Sequence, residues 1–206
     1  MKTVNNKYSR YLNLFVQMSK MVLFIVLLTS ALRCQTRYEI KTTCDMLDRS
    51  FMNLISQVGV QEATGKNDGK QIAEYLASVG IYKPASYCMA GQYWCFYSVD
   101  SNNVPLRRSG VAIHSHSYAK EFGIKTKYIA KTHDLIVWKK FGSWQGHVER
   151  IIEVGDAGWV KTVGFNTSNG LTGSQREGEG VFIRKRNILY KIGSLHILGL
   201  VGFKSE

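Results

Sequence analysis

The 206-residue chain contains only two prolines, and it shows no low-complexity segment and no internal repeat. Extended disorder and repeat architectures normally carry one of these features, so the composition argues against both. Hydrophobic residues make up 45% of the chain and charged residues 20%, an ordinary balance for a folded domain. We therefore expect one globular domain behind a short leader.

Acidic residues are scarce, with 15 Asp and Glu against 27 Lys and Arg, which leaves a formal net charge of +12. Such a charge favours an anionic partner, for example nucleic acid, a membrane surface or a wall polymer. No helix-turn-helix, zinc-finger or RNA-binding sheet motif accompanies the charge, so we expect no nucleic-acid partner. The small basic clusters 139–140 and 184–186 are interpreted as solvated faces.

Cysteine is also sparse, with four residues in the chain: Cys34, Cys44, Cys88 and Cys95. On a shared helix, Cys88 and Cys95 would be separated by roughly 10 Å of rise, too far for a disulfide. No disulfide framework is therefore expected. His114 and His116 alternate on one segment, but no third ligand follows at a convincing spacing, and neither a metal nor another cofactor is expected.

No uninterrupted apolar run reaches the length of about 20 residues that a membrane-spanning helix needs. The apolar core at residues 22–32 has 11 residues and follows a basic segment, which is typical of a secretory signal peptide. An uncleaved anchor over residues 11–32 and lipidation of Cys34 are the alternatives. Residues 1–33 are therefore interpreted as a signal peptide or membrane anchor, and each version places the domain outside the cytoplasm.

Hydrophobic periodicity divides the rest of the chain into helices followed by strands. Helical spacing covers residues 44–60, 69–80 and 87–99. Segments rich in β-branched residues and separated by glycines, which predict an antiparallel meander and final strands, lie at 133–139, 146–154, 158–165, 181–186 and 195–203. The pattern predicts an α+β fold with N-terminal helices packed on an antiparallel β-sheet. Residues 34–64 are assigned to a helical lead-in and residues 65–206 to the main domain.

Cys88 is the first candidate for chemistry because it stands at the start of a predicted helix, behind Ser86 as a possible N-cap. A helix N-terminus favours the thiolate form of a cysteine, and the backbone N–H of Cys88 could face a developing oxyanion. Cys95 lies two turns deeper between Trp94 and Phe96, where we expect a core residue.

His147 is the candidate base, since it sits between Gly146 and Val148 at the start of a strongly apolar strand. A cysteine–histidine pair usually has a third group that orients the imidazole. Asn166, at the end of the next strand, is preferred for this role over Glu149. The reason is that a residue two positions along the same strand points parallel to the histidine rather than across to its ring.

The order of these residues resembles the CHAP and NlpC/P60 group of papain-like cysteine peptidases and amidases, over roughly residues 65–186. The resemblance is carried by five segments: Y-L-A-S-V-G before the nucleophile, Y-C-M-A-G-Q-Y-W-C, H-D-L-I-V-W followed by G-H-V, V-G-F-N-T, and R-E-G-E-G-V-F-I-R-K-R. Tyr87, Met89, His133 and Glu149 depart from residues that are common in the family, and none of these departures removes a catalytic group.

The resemblance implies a papain-like fold and hydrolysis of peptidoglycan amide bonds through a thioacyl-enzyme. Cys88 would be the nucleophile, His147 the general base and Asn166 the orienting residue, with no cofactor. Tyr87, Tyr93 and Trp144 are candidates for lining the substrate groove. The alternative is a protein that keeps this fold without catalysis, either as a cell-wall-binding domain or as a membrane-anchored interaction protein.

Overall fold

The computed structural model describes residues 17–18, 35–169 and 178–206. The leader predicted at residues 1–33 and the proposed lipidation of Cys34 fall outside this part of the chain, apart from residues 17–18. None of the helices described is long and apolar enough to cross a membrane. Residues 35–206 form one compact unit.

This unit has an α+β fold, as predicted, with four helices packed against a seven-stranded sheet. The helices are α1 (Cys44–Ser56), α2 (Lys70–Ser78), α3 (Cys88–Tyr97) and α4 (Ala112–Phe122). The strands are β1 (Thr36–Thr42), β2 (Ile124–Thr126), β3 (Leu135–Lys140), β4 (Gly146–Val154), β5 (Trp159–Thr167), β6 (Gly180–Asn187) and β7 (Leu195–Ser205).

The strand order is β2-β1-β7-β3-β4-β5-β6. Strands β3 to β6 form the predicted antiparallel meander, and β7 returns to pair antiparallel with β3. The sheet is nevertheless mixed, because β1 runs parallel to β7. This pairing makes β1 part of the same sheet as the strands of the main domain, so residues 34–64, predicted as a helical lead-in, contain a strand as well as α1.

Strand β1 lacks the sequence pattern of a strand because it contains a buried charged residue. Arg37 is only 1% exposed, and its guanidinium donates to both carboxylate oxygens of Asp134 on the segment before β3, at 2.7 and 2.8 Å. An arginine at an inward position breaks the alternation of apolar and polar residues that identifies a strand. Helix α4 is obscured in a similar way, because its buried side chains include Ser115 and His116.

Helix α3 lies close against the sheet and carries Cys88 at its first position. At Gly91 the helix backbone approaches β5 so closely that a Cβ atom would collide with the ring of Phe165. Glycine is therefore required for this contact. The N-cap residue is Tyr87 rather than Ser86, and no side chain accepts a capping hydrogen bond from the N–H groups of the first turn.

Candidate active site

The structure brings Cys88 and His147 together. Cys88 begins α3 and is 5% exposed, while His147 is the second residue of β4 and is completely buried. Nε2 of His147 lies 3.1 Å from Oε1 of Glu149. Nδ1 has no hydrogen-bond partner of regular geometry within the part of the chain that the structure describes, so it is the ring nitrogen left for the thiol.

The charges around His147 favour the imidazolium. Burial lowers the pKa of His147, but the hydrogen-bonding and charge interactions with Cys88 and Glu149 outweigh it and raise that pKa to about 9. Cys88 therefore contributes to the raised pKa of His147, although no regular hydrogen bond joins the thiol to Nδ1 among the described residues. Catalytic hydrogen bonds are often long before substrate binds.

Glu149 is completely buried and ionised. Burial raises the pKa of its carboxyl, but hydrogen bonds and charge interactions with Arg186 and His147 outweigh burial and hold that pKa well below its usual range. Nε of Arg186 donates to Oε2 at 2.9 Å, Nη2 of Arg186 donates to Oε1, and the Thr162 hydroxyl donates to Oε2 at 2.6 Å. The carboxylate is therefore held from β5 and β6 as well as from His147.

Glu149 contacts the imidazole from its own strand, contrary to the expectation from strand geometry, and Gly164 shows why. Gly164 pairs with Glu149 across β4 and β5, and a Cβ atom at this position would lie 2.9 Å from both Cγ and Oε1 of Glu149. Because glycine has no side chain, the Glu149 carboxylate lies over the neighbouring strand. It can then reach the imidazole of His147 although both residues belong to β4.

The amide of Asn166 is not placed on the imidazole. Asn166 is 1% exposed and adopts a left-handed backbone conformation with φ of 51°, within an irregularity of the β5–β6 pairing. Neither its Oδ1 nor its Nδ2 has a hydrogen-bond partner among the residues described. The preference for Asn166 over Glu149 as the residue in contact with His147 therefore does not match the observed geometry.

A cavity of about 280 Å³ opens at Cys88. It is lined by residues from the start of α3, the start of α4, the β3–β4 loop and the loop before α3, which are Ile81, Ala85, Ser86, Cys88, Gly110, Val111, Ala112, Trp144, Gln145 and Gly146. Trp144 is 69% exposed and forms part of the wall, so substrate binding by Trp144 stays a prediction. The cavity provides space for a substrate beside the thiol.

The other two aromatic candidates do not line this cavity. Tyr87 is completely buried, and its ring packs 6.1 Å from that of Tyr75. Tyr93 is 5% exposed and stacks on Tyr97 at 6.0 Å. Both belong to the hydrophobic core, so assigning them to the substrate groove is wrong because their rings are used in packing.

Cys95, His114 and His116 have structural surroundings. Cys95 is completely buried, and burial raises its pKa to about 12, in keeping with the core role predicted for it. His116 is hydrogen-bonded to Thr36 at 3.0 Å, and His114 to Ser109 at 2.8 Å. Across the described ranges, no cluster of three or more metal-ligating side chains occurs.

Sequence reasoning missed the groups that hold Glu149. Arg186 belongs to the cluster 184–186 that was interpreted as a solvated face, yet it is only 7% exposed and bonds Glu149. Thr162 and Gly164 carry no catalytic signature of their own. The available signal was the spacing of two residues between Thr162 and Gly164, which places both on the face of β5 that pairs with Glu149.

Searches of protein-family models, curated proteins and solved structures found no match to this chain. The chemistry of the site is therefore inferred from its own geometry. A thiol, an imidazolium and a carboxylate in series, beside a cavity and an uncapped helix N-terminus, can generate a nucleophilic thiolate and stabilise an oxyanion.

Proposed function

We propose that this protein is a cysteine hydrolase that cleaves amide bonds of peptidoglycan, either as an endopeptidase or as an N-acetylmuramoyl-L-alanine amidase. The observation that carries the proposal is the buried series Cys88–His147–Glu149, in which the carboxylate lies 3.1 Å from the imidazole. A carboxylate in this position fixes the ring orientation and stabilises the imidazolium, which in turn stabilises the Cys88 thiolate.

In the first half of the reaction, the Cys88 thiolate attacks the carbonyl carbon of the amide. The resulting oxyanion lies near the backbone N–H of Cys88 at the uncapped start of α3. Protonated His147 then gives its proton to the leaving amine as the C–N bond breaks, and a thioester remains on Cys88. In the second half, neutral His147 takes a proton from water and hydroxide adds to the thioester carbonyl. The C–S bond then breaks, the carboxylic acid leaves, and the Cys88 thiolate and protonated His147 are restored.

The papain-like fold is part of the same proposal. It is supported by a nucleophile helix, α3, that packs against β4 and β5 of a largely antiparallel sheet. The choice of peptidoglycan is supported by the resemblance of the sequence motifs and by the net charge of +12, which suits an anionic wall. Export through the apolar segment 22–32 would bring the enzyme to that substrate.

Purified bacterial sacculi provide the test. Wild type should release fragments that mass spectrometry identifies as products of amide cleavage, and Cys88→Ser should release none. Cys44→Ser is the matched control because Cys44 is also the first residue of a helix but is exposed on α1. Equal release by wild type and Cys88→Ser would contradict the proposal, and binding of sacculi without release by folded wild type would favour a non-catalytic wall-binding protein.

A further inference from the structure

We propose that Arg186 is a positioning residue that aims the Glu149 carboxylate at His147 from two strands away. This inference rests on the proposed function, because it extends the Cys88–His147–Glu149 series by one residue. It assigns a role in the site to a side chain that the sequence places in a surface cluster.

The hydrogen bonds to Glu149 leave one direction open. A carboxylate offers about four lone-pair positions on its two oxygens. Arg186 occupies one on each oxygen through Nε and Nη2, and the Thr162 hydroxyl occupies a second position on Oε2. The remaining position on Oε1 faces Nε2 of His147 at 3.1 Å. The contacts from β5 and β6 thus determine where the carboxylate can accept from the imidazole.

Strand geometry explains why such a clamp is needed. His147 and Glu149 are two positions apart on β4, so their side chains leave the strand in parallel directions. Arg186 lies on β6 and pairs in register with Val160 of β5, and its guanidinium reaches back to the carboxylate that lies over Gly164. Without this contact, only the imidazole of His147 and the hydroxyl of Thr162 would hold the carboxylate in this position.

Because both partners are buried, the geometry of the contact between Arg186 and Glu149 matters. Arg186 is 7% exposed and Glu149 is completely buried, so this pair differs from a screened surface ion pair. The guanidinium is planar and bridges both oxygens, whereas an ammonium is a compact point charge. Lysine at position 186 would therefore keep the charge but lose the two-point hold on the carboxylate.

The test is a double-mutant cycle on thiol reactivity. The rate of Cys88 alkylation by iodoacetamide is measured at neutral pH by peptide mapping, with exposed Cys44 as the internal standard. Glu149→Gln and Arg186→Gln should each slow Cys88 alkylation by about 10- to 100-fold, the range for losing a charge-assisted hydrogen bond. The double variant should be no slower than Glu149→Gln alone, because Arg186 acts through Glu149.

Two further variants separate positioning from general effects. Lys185→Gln makes the same change in charge at the adjacent exposed residue and should leave the rate unchanged. Arg186→Lys should be slower than wild type and faster than Arg186→Gln, and it provides the measurement if Arg186→Gln does not fold, as judged by near-ultraviolet circular dichroism. Additive effects in the cycle, or an Arg186→Lys rate equal to that of wild type, would overturn the inference.

The readout also separates this inference from the proposed function, because alkylation needs no substrate. A non-additive cycle together with intact sacculi would support the positioning role and remove peptidoglycan hydrolysis. Cleaved sacculi together with an additive cycle would support hydrolysis and remove Arg186 from the series.

Discussion

Replacing Glu149 by glutamine removes one charge from the candidate site while nearly preserving the shape of the side chain. In the wild type, interactions with Cys88 and Glu149 hold the pKa of His147 at about 9, against an ordinary value of 6.5, despite complete burial. That difference corresponds to about 3 kcal/mol of net stabilisation of the imidazolium. In Glu149→Gln, the lowering effect of burial is opposed mainly by Cys88, so the pKa of His147 falls.

The consequence should appear in the alkaline limb of the pH–rate profile. In the proposed mechanism, the imidazolium is the proton donor to the leaving amine, so we expect activity to be lost as His147 loses its proton. For the wild type we expect kcat/KM to decline around pH 9, and for Glu149→Gln we expect the decline at least about one pH unit lower. The amide of glutamine can still accept from Nε2, so the ring keeps part of its orientation.

The assay is fragment release from sacculi between pH 5 and 10, repeated with iodoacetamide to follow Cys88 alone. Lys185→Gln controls for a general change in charge, because Lys185 is exposed and lies outside the site. An alkaline limb that stays near pH 9 in Glu149→Gln would refute the reasoning, because Glu149 would then contribute nothing to the protonation of His147. A loss of rate with no shift of the limb would leave only a steric role for Glu149.

Three further predictions follow from the same geometry. The pKa of His147 is raised above its value in the unfolded chain, so its contribution to stability is fully present below about pH 6.5 and is lost toward pH 9. The midpoint of urea unfolding should therefore fall between these pH values. A rise of the midpoint would contradict the raised pKa of His147. Asn166→Gly should keep the fold and the alkaline limb of the pH–rate profile, because glycine adopts the φ of 51° freely. Asn166→Ala should lower the free energy of unfolding in urea by about 1 kcal/mol. An alkaline limb displaced in Asn166→Gly would restore Asn166 as the orienting residue. Trp144→Ala should raise KM and leave kcat unchanged, because its exposed ring lines the cavity wall; Trp159→Ala, at a tryptophan that does not line this cavity, is the control, and a fall in kcat alone would argue against a binding role.

Local patterns were sufficient to predict much of the fold. The five segments rich in β-branched residues between 133 and 203 all form strands, and the three predicted helices correspond to α1, α2 and α3. Patterning failed where a polar side chain fills an inward position. Arg37 does so in β1 and His116 in α4, and each has a hydrogen-bond partner far along the chain, Asp134 and Thr36 respectively.

The residues of the candidate site also divide into those that local sequence patterns indicate and those that they do not. Cys88 and His147 were found because each has a local signature, a cysteine at a helix start and a histidine after glycine at a strand start. The choice between Glu149 and Asn166 depends on side-chain directions that no single strand determines. Glu149 reaches the ring because position 164 has no side chain and because Arg186, 37 residues later in the chain, bonds its carboxylate.

The buried Glu149–Arg186 pair is informative because stability alone does not explain it. A buried ion pair contributes little net stability, since the cost of removing both charges from water offsets much of their attraction, and apolar side chains of similar size often stabilise a protein as well or better. The pair lies on the face of the sheet that also holds His147, with Thr162 completing its hydrogen bonds. Placing a fixed negative charge beside an imidazole is something apolar packing cannot do. We therefore infer that, in the proposed mechanism, the pair keeps His147 protonated and aimed at Cys88. The candidate site would then depend on three neighbouring strands, β4, β5 and β6, together with the first turn of α3.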